Sequence, residues 1–437
     1  MPNRPHRLLV IEDDPGLRDV FRLALETAGY EVEVVEDGGA GLSAAFERQP
    51  DLVITDLLTP RMHGYEFIRR LRATPHGVRM PIIVVSGQAY ATDQRRAIEL
   101  GACGFLPKPF QRQQLLDIVK RSLSQVRVRF WGVRGSIAAP GPETIRYGGN
   151  TPCVTIERGQ DLLILDSGTG LRKLGVCLQA EAKRTPQHIR MLITHTHWDH
   201  IQGFPFFVPA YVPGNRLDVY GPPSVEKPLE KVLRGQMDPA YFPVALGDMA
   251  AEIVVHEVRE PEFDVGPFRV SAMYINHPGI TMAFRIDIDG VVVTYATDTE
   301  PYRFLLADRN ADPESELADY GGKRDGELAR FAANADLYIA DSQYSPEEYN
   351  MKRGWGHTCY TDAVELAMAA QARRLALFSH DPMHDDDMVD EKLRRCKELV
   401  ASRGSDLVVH AAIEGQSIDI EPAATAASAT ATSAPKS

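Results

Sequence analysis

Thr194-His195-Thr196-His197-Trp198-Asp199-His200 brings three imidazoles and a carboxylate together directly after the apolar residues Ile189, Met191, Leu192 and Ile193. An apolar run that stops at such a stretch reads as a buried strand turning into a loop. Histidine offers nitrogen and aspartate oxygen to zinc-type ions, and two ions with open positions need roughly three or four protein ligands each. Alternate residues of an extended segment share a face, so His195 and His197 can address one ion. Asp199 and His200 follow the turn and can address a second.

Further donors arrive in order along the chain: His277 in Asn276-His277-Pro278-Gly279, Asp298 in Ala296-Thr297-Asp298-Thr299, His357 in Gly356-His357-Thr358, and His380 in Phe378-Ser379-His380-Asp381. Asp298 and His380 follow β-branched or apolar runs and so lie at strand ends. Together with the opening stretch they resemble the metallo-β-lactamase fold, an αββα sandwich, over roughly residues 126–420. The resemblance implies that His195, His197 and His277 bind one metal, that Asp199, His200 and His380 bind the other, and that Asp298 bridges both. An Asp at the bridging position, not Cys, points away from the antibiotic-hydrolysing enzymes. His197, not Glu, points away from the di-iron oxygen-reducing relatives. Asp341, in Leu337-Tyr338-Ile339-Ala340-Asp341, and His357 look like the acidic residue and extra histidine of the phosphodiesterase branch, which includes tRNA 3′-processing nucleases and bacterial cyclic phosphodiesterases. The stretches Phe130-Trp131-Gly132-Val133-Arg134-Gly135-Ser136 and Gly148-Gly149-Asn150-Thr151 are similar to that branch too. Ser379 departs from it, standing where close relatives often carry a second histidine, which leaves His384 as an alternative ligand.

The N-terminal part alternates short apolar strands, such as Leu8-Leu9-Val10-Ile11, Leu52-Val53-Ile54 and Ile82-Ile83-Val84-Val85, with helical spacing at Leu17, Val20, Phe21, Ala24 and Ala28. Such alternation predicts a parallel sheet with its chemistry at the carboxyl ends of the strands. Glu12, Asp13, Asp56, Ser86 and Lys108 all fall there. The pattern resembles the receiver domain of bacterial response regulators, with a flavodoxin-like, doubly wound sheet over residues 1–124. That resemblance makes Asp56 the phosphoacceptor, with Glu12, Asp13 and Asp56 holding Mg²⁺. It makes Lys108 and Ser86 partners of the phosphoryl group and Phe105 the aromatic switch residue. It also implies a sensor histidine kinase or phosphotransfer protein as partner. Clustered carboxylates repel unless a hard divalent cation sits among them, which is the physical reason for the arrangement.

The last helix of this domain runs out at Ser124-Gln125, and Val126-Arg127-Val128-Arg129-Phe130-Trp131 begins a strand at once, so the linker is very short and the domains are expected to touch. Residues 421–437 are mostly Ala, Thr, Ser and Pro with little to bury and are expected to be disordered. Pro222 to Pro261 and Asp308 to Asp325 lack the strand and helix pattern and read as insertions.

Over 437 residues the formal charge is −12 and 44% of residues are apolar, which supports real cores and argues against a general nucleic-acid surface. Five scattered cysteines fit reduced thiols. The stretch Met1 to Arg7 lacks the apolar core of a signal peptide and no apolar run approaches the roughly 18 residues of a membrane span, so the expected location is the cytoplasm. His6, His63, His76, His188, His256 and His410 have no ligand-like company, and Cys359 reads as a small buried residue.

The expected activity is therefore a receiver-controlled phosphodiesterase using two Zn²⁺, or Mn²⁺ or Fe²⁺, with a cyclic nucleotide as the contextual choice of substrate. Asp199, Asp341 and His357 are the catalytic candidates, His357 as general acid with Asp341 holding its tautomer. Asp166 is expected to organise the metal loop. The competing readings are an RNA-processing nuclease, a thioester or lactone hydrolase, and a metal-dependent binding module without catalysis. Phosphorylation is expected to shift the face built from the last strands and helices of the first domain and to act through the short junction at Val126.

Overall fold

The structure is a computed structural model that describes residues 5–74, 77–87, 90–159, 161–182, 186–223, 227–306 and 316–422. Of the expected tail, residues 421–437, Glu421 is placed and pairs with Arg121 at 3.5 Å, while 423–437 lie outside the described residues, as does His76.

Five parallel strands form the N-terminal sheet in the order Glu31–Val35, Arg7–Ile11, Leu52–Asp56, Ile82–Ser86 and Gly104–Pro107. Leu52–Asp56 and Ile82–Ser86 are buried throughout, as strands covered by helices on both faces must be. The first helix, Pro15–Glu26, starts where Asp14 accepts from the Leu17 amide and Pro15 has no amide N–H in need of an acceptor. Helix Arg112–Ser124 is separated from strand Val126–Gly132 by Gln125 alone.

Two seven-stranded sheets make the second domain. One runs Glu252–Glu257, Arg216–Gly221, His188–Leu192, Asp161–Leu165, Cys153–Arg158, Val126–Gly132 and Ser417–Ile420. The other runs Glu262–Val265, Phe268–Ile275, Thr281–Ile288, Val291–Ala296, Leu337–Asp341, Arg374–Phe378 and Val408–Ala411. Their facing sides meet in a core that includes Phe130, Leu163, Phe284, Val293, Ile339 and Phe378. Helices Leu171–Ala182 and Leu229–Gln236 lie on the outer face of the first sheet. Helices Glu316–Phe331, Tyr360–Ala369 and Asp386–Ser402 lie on that of the second. This is the expected αββα sandwich, closed by the antiparallel pairing of Ser417–Ile420 with Val126–Gly132.

The two supposed insertions need correction. Pro222 to Pro261 supplies helix Leu229–Gln236, with Leu229 and Leu233 in the core, and the edge strand Glu252–Glu257. The second stretch runs into helix Glu316–Phe331, which begins within it, while residues 308–315 lie outside the described residues. Their charged faces hid the apolar stripes that dock them.

The domains touch, as expected, at the edge of the N-terminal sheet where its strands begin. Arg79, just before strand Ile82–Ser86, pairs with the buried Glu157 at 3.1 Å, and Arg127 donates to the Arg79 carbonyl at 3.4 Å. Arg127 is also held by the Asp419 carboxylate. Burial opposes ionisation of Glu157, but Arg79 and Arg129 beside it hold its carboxyl below the usual range.

Backbone contact between loops positions the histidine stretch. A side chain on Gly203 would put its Cβ 2.0 Å from the Gly168 carbonyl. Gly203→Ala is therefore expected to cost about 1–3 kcal/mol through overpacking, read as a lower unfolding midpoint. An unchanged midpoint would show that these loops are free to move apart.

Candidate functional site

The strand His188–Leu192 ends at Ile193 and Thr194, and the chain then turns through the histidine stretch into the short helix Trp198–Ile201. His197 Nδ1 lies 2.9 Å from His277 Nε2, and donor atoms of His195, His197 and His277 all fall within 4.8 Å of one another. His195 Nε2 is buried without a hydrogen-bond partner and sits 3.7 Å from the Asp298 carboxylate. His200 Nε2 lies 3.1 Å from Asp298 and 3.3 Å from Asp199. An orphaned buried nitrogen among converging nitrogens and carboxylate oxygens is the donor set that divalent transition metals take, so the residues fit such ions.

Electrostatics agree with that use for the three histidines His195, His197 and His277. Burial pushes the His195 imidazole well below its usual range, helped by the neighbouring His200, and burial likewise lowers His197 and His277. Neutral imidazole is the metal-binding form. For His200 burial acts in the same direction, but Asp298, Asp199 and Asp166 outweigh it and favour the cation. Burial would raise Asp298, yet His200 and His357 hold it well below the usual carboxylate range.

The cluster is held from behind. Asp166 Oδ2 accepts from His200 Nδ1 at 2.8 Å and from the Tyr295 hydroxyl at 2.9 Å, while Oδ1 accepts from the Thr194 amide at 2.8 Å. Asp166 thus organises the loop, the role expected for it. The Ser136 amide donates to Asp199 at 2.8 Å. Ser136, Asp166, Asp298 and Ser379 all have φ between 51° and 63°, a left-handed conformation that non-glycine residues adopt at a cost and that gathers at functional sites.

Beside the cluster, His357 Nδ1 lies 2.6 Å from Asp341 Oδ2, and donor atoms of His357, His277 and Asp298 fall within 4.8 Å. Asp341 is fully buried and also accepts from the Gln343 and Thr358 amides. Burial disfavours the His357 cation, but Asp341 and Asp298 prevail and raise it to about 9.

Two expected ligands stand elsewhere. His380 Nε2 donates to the Ala412 carbonyl at 3.0 Å, and its ring meets Tyr147 edge-on. His384 Nε2 pairs with Glu348 at 2.9 Å. Neither joins the cluster. Ser379 faces Asp298 instead, its Oγ 3.4 Å from Oδ1. The physical reason is the backbone just past strand Arg374–Phe378: Ser379 turns at a φ of 56° and His380 is pinned between Val133 and Gly135, which leaves Ser379 and not His380 facing the site. Cys359 is buried, with burial pushing its thiol up to about 11, as suits a packing residue. His188 and His256, unremarkable in sequence, bracket Asp218 on adjacent strands.

Sequence reasoning missed Glu300. Its buried carboxylate accepts from the Gly354 and Gly356 amides and from the Tyr349 hydroxyl, and the Gly356 carbonyl in turn accepts from His277 Nδ1 at 2.7 Å. The only signal was its place two residues after Asp298. Tyr295 and Gln343 belong to no motif in the sequence.

At the other end of the chain Glu12, Asp13 and Asp56 place carboxylate oxygens within 4.8 Å of one another. Lys108 Nζ lies 2.6 Å from both Glu12 and Asp56. Burial raises the Glu12 carboxyl despite Lys108. Ser86 is buried at the end of its strand, and Phe105 packs half-buried against the adjoining core.

Residues 8–120 match the response regulator receiver domain, and residues 163–380 match the β-lactamase superfamily domain. The chain joins a receiver domain to a β-lactamase-fold domain. Over 140 residues the receiver portion is 31% identical to the DNA-binding dual master transcriptional regulator RpaA of a Synechocystis strain, covering 32% of this chain and 58% of that protein. The chain spans about half the length of the curated relatives it matches. The β-lactamase-fold domain is similar to YhfI of Bacillus subtilis, at 18% identity and a TM-score of 0.45, covering 68% of this chain and 99% of that one. It is also similar to human tRNase Z, short form, at 18% identity and a TM-score of 0.43, covering 67% and 98%. A receiver domain takes its phosphoryl group from a phosphodonor such as a histidine kinase. Among the described residues no helix is long and apolar enough to cross a membrane.

Asp166 directs the His200 ring while both of its own oxygens are engaged by Thr194, His200 and Tyr295. Asp166→Asn is expected to weaken metal retention about 10- to 100-fold, measured by competition with a chelator. Unchanged retention would show that the loop holds its shape without this carboxylate.

Proposed function

We propose that the β-lactamase-fold domain is a metal-dependent phosphodiesterase whose activity the receiver controls, with a cyclic nucleotide as substrate. The observation that carries this reading is the His357–Asp341 pair, 2.6 Å long, set against the donor cluster. His195, His197 and His277 would hold one divalent ion, and Asp199, His200 and Asp298 a second. Zn²⁺ suits this set, and Mn²⁺ or Fe²⁺ are alternatives. Such ions supply an activated water near neutral pH and neutralise charge on phosphoryl oxygens.

The side chains do the rest. Asp341 accepts the Nδ1 proton of His357, so the remaining proton sits on Nε2, on the ring edge away from Asp341. Raised to about 9, His357 carries that proton at neutral pH and can deliver it to a departing alkoxide. Asp199, fixed by the Ser136 amide, keeps its oxygens turned toward His200. Hydrolysis of a thioester or lactone has no evident need for this pair. An RNA-processing nuclease would use it, but the net charge of −12 argues against a polyanionic substrate. A signalling nucleotide suits a domain placed under phosphorylation control.

His357→Ala is expected to lower turnover of alkyl phosphodiesters by roughly 10²- to 10⁴-fold, and to affect an activated aryl ester much less, since aryloxide leaves without a proton. Equal losses on both would make His357 a binding residue. For control, an acyl-phosphate donor should change the rate of the wild type but not of Asp56→Ala. Arg79→Ala, which removes the buried ionic contact with Glu157 across the junction, should blunt that response. A rate that stays constant while Asp56 is shown to be phosphorylated would separate the receiver from the chemistry.

A further inference from the structure

The two donor sets are not equivalent. His195, His197 and His277 supply three imidazoles to one position, with Asp298 beside them. The other position has His200 and the shared Asp298, whose donor atoms fall within 4.8 Å of one another and of His195, and Asp199 joins it 3.3 Å from His200 Nε2. What faces this second set from the end of strand Arg374–Phe378 is Ser379, fully buried and held at a φ of 56°. Its Oγ lies 3.4 Å from Asp298 Oδ1 and 3.3 Å from Gln343 Oε1. Gln343 Nε2 continues the chain to Ser136 Oγ at 3.3 Å, and the Ser136 amide holds Asp199. The wall is therefore hydroxyl and amide, groups that zinc-type ions take rarely compared with imidazole, thiolate and carboxylate.

His380 does not make up the difference. Its backbone is pinned on both sides, its amide donating to the Val133 carbonyl and its carbonyl accepting from the Gly135 amide. Its ring is fully buried with Nε2 on Ala412 and Nδ1 unpartnered. Turning it toward Asp298 would mean breaking this bridge and displacing Ser379.

We propose that the two metal positions are unequal: His195, His197 and His277 retain one ion, while Asp199, His200 and Asp298 hold a second that exchanges, with Ser379 and Gln343 lining its open side as hydrogen-bonding groups. This rests on the metal-centre reading above and adds an order of binding to it. A position short of one ligand keeps room for solvent or a substrate oxygen, and it releases its ion first.

The test is a calorimetric titration of the metal-stripped, full-length protein with Zn²⁺, followed by metal analysis after dialysis. Wild type is expected to show two events at least about 10-fold apart in affinity, since even losing a supporting contact to a ligand costs that much, and to keep one ion through dialysis. Ser379→His should tighten the second event and keep two ions. His380→Gln should leave both events in place. Two equal events in the wild type, or loss of the second event in His380→Gln, would overturn the proposal while leaving the metal centre intact. No Zn²⁺ binding at all would overturn both together. Should Ser379→His fail to fold, the wild-type and His380→Gln titrations still decide.

Discussion

The Asp166 carboxylate is the contact on which the β-lactamase-fold domain's site depends. It is fully buried and accepts from Thr194, His200 and Tyr295. Thr194 follows a strand of one sheet and Tyr295 belongs to the other. A single buried anion therefore ties the two sheets together at the edge where the histidines emerge. Left unpaired, such a group would cost several kcal/mol. Fully paired, it fixes the His200 ring with Nδ1 on Asp166 and Nε2 toward Asp298 and Asp199. The cost of the left-handed backbone at Asp166, Asp298, Ser136 and Ser379 is carried by the same network, because each of these residues either accepts or donates within it.

Most of the architecture was legible because it follows from periodicity. Buried strands such as Leu52–Asp56 and Leu337–Asp341 are continuous apolar runs ending in a carboxylate. The helices between them repeat at helical spacing. The site was legible where its residues cluster in sequence, as in His195 to His200, or sit at strand ends, as Asp298 and Asp341 do. It was not legible where side-chain direction decides. Ser379 and His380 are neighbours, and only the pinned backbone beside Val133 and Gly135 determines which one faces Asp298. Glu300, Tyr295 and Gln343 escaped notice because each acts through long-range hydrogen bonds that no local pattern announces. Helix Leu229–Gln236 was hidden by charges on its outer face.

The receiver presents its own constraint. Lys108 is drawn to Glu12 and Asp56 together, so any charge added at Asp56 competes for that ammonium group. Asp56 ends its strand, whereas Arg79 meets Glu157 at the edge where the strands of this sheet begin. A signal between them must cross the sheet or travel along helix Arg112–Ser124, which enters the second domain through Gln125 alone. Little slack is available there, and the Arg127–Asp419 pair fixes the far side. Coupling of this kind depends on two arrangements of the interface that differ in free energy, not on distance.

The central claim, that this cluster and the His357–Asp341 pair perform phosphodiester hydrolysis, is tested most directly by turnover of the metal-loaded protein. The panel is a set of cyclic nucleotides, a generic phosphodiester, a tRNA precursor and a thioester, assayed side by side. The account predicts hydrolysis of phosphodiesters, with the highest kcat/KM on a cyclic nucleotide and none on the thioester. Preferential cleavage of the thioester, or no turnover of any member by protein shown to carry its metal, would contradict it.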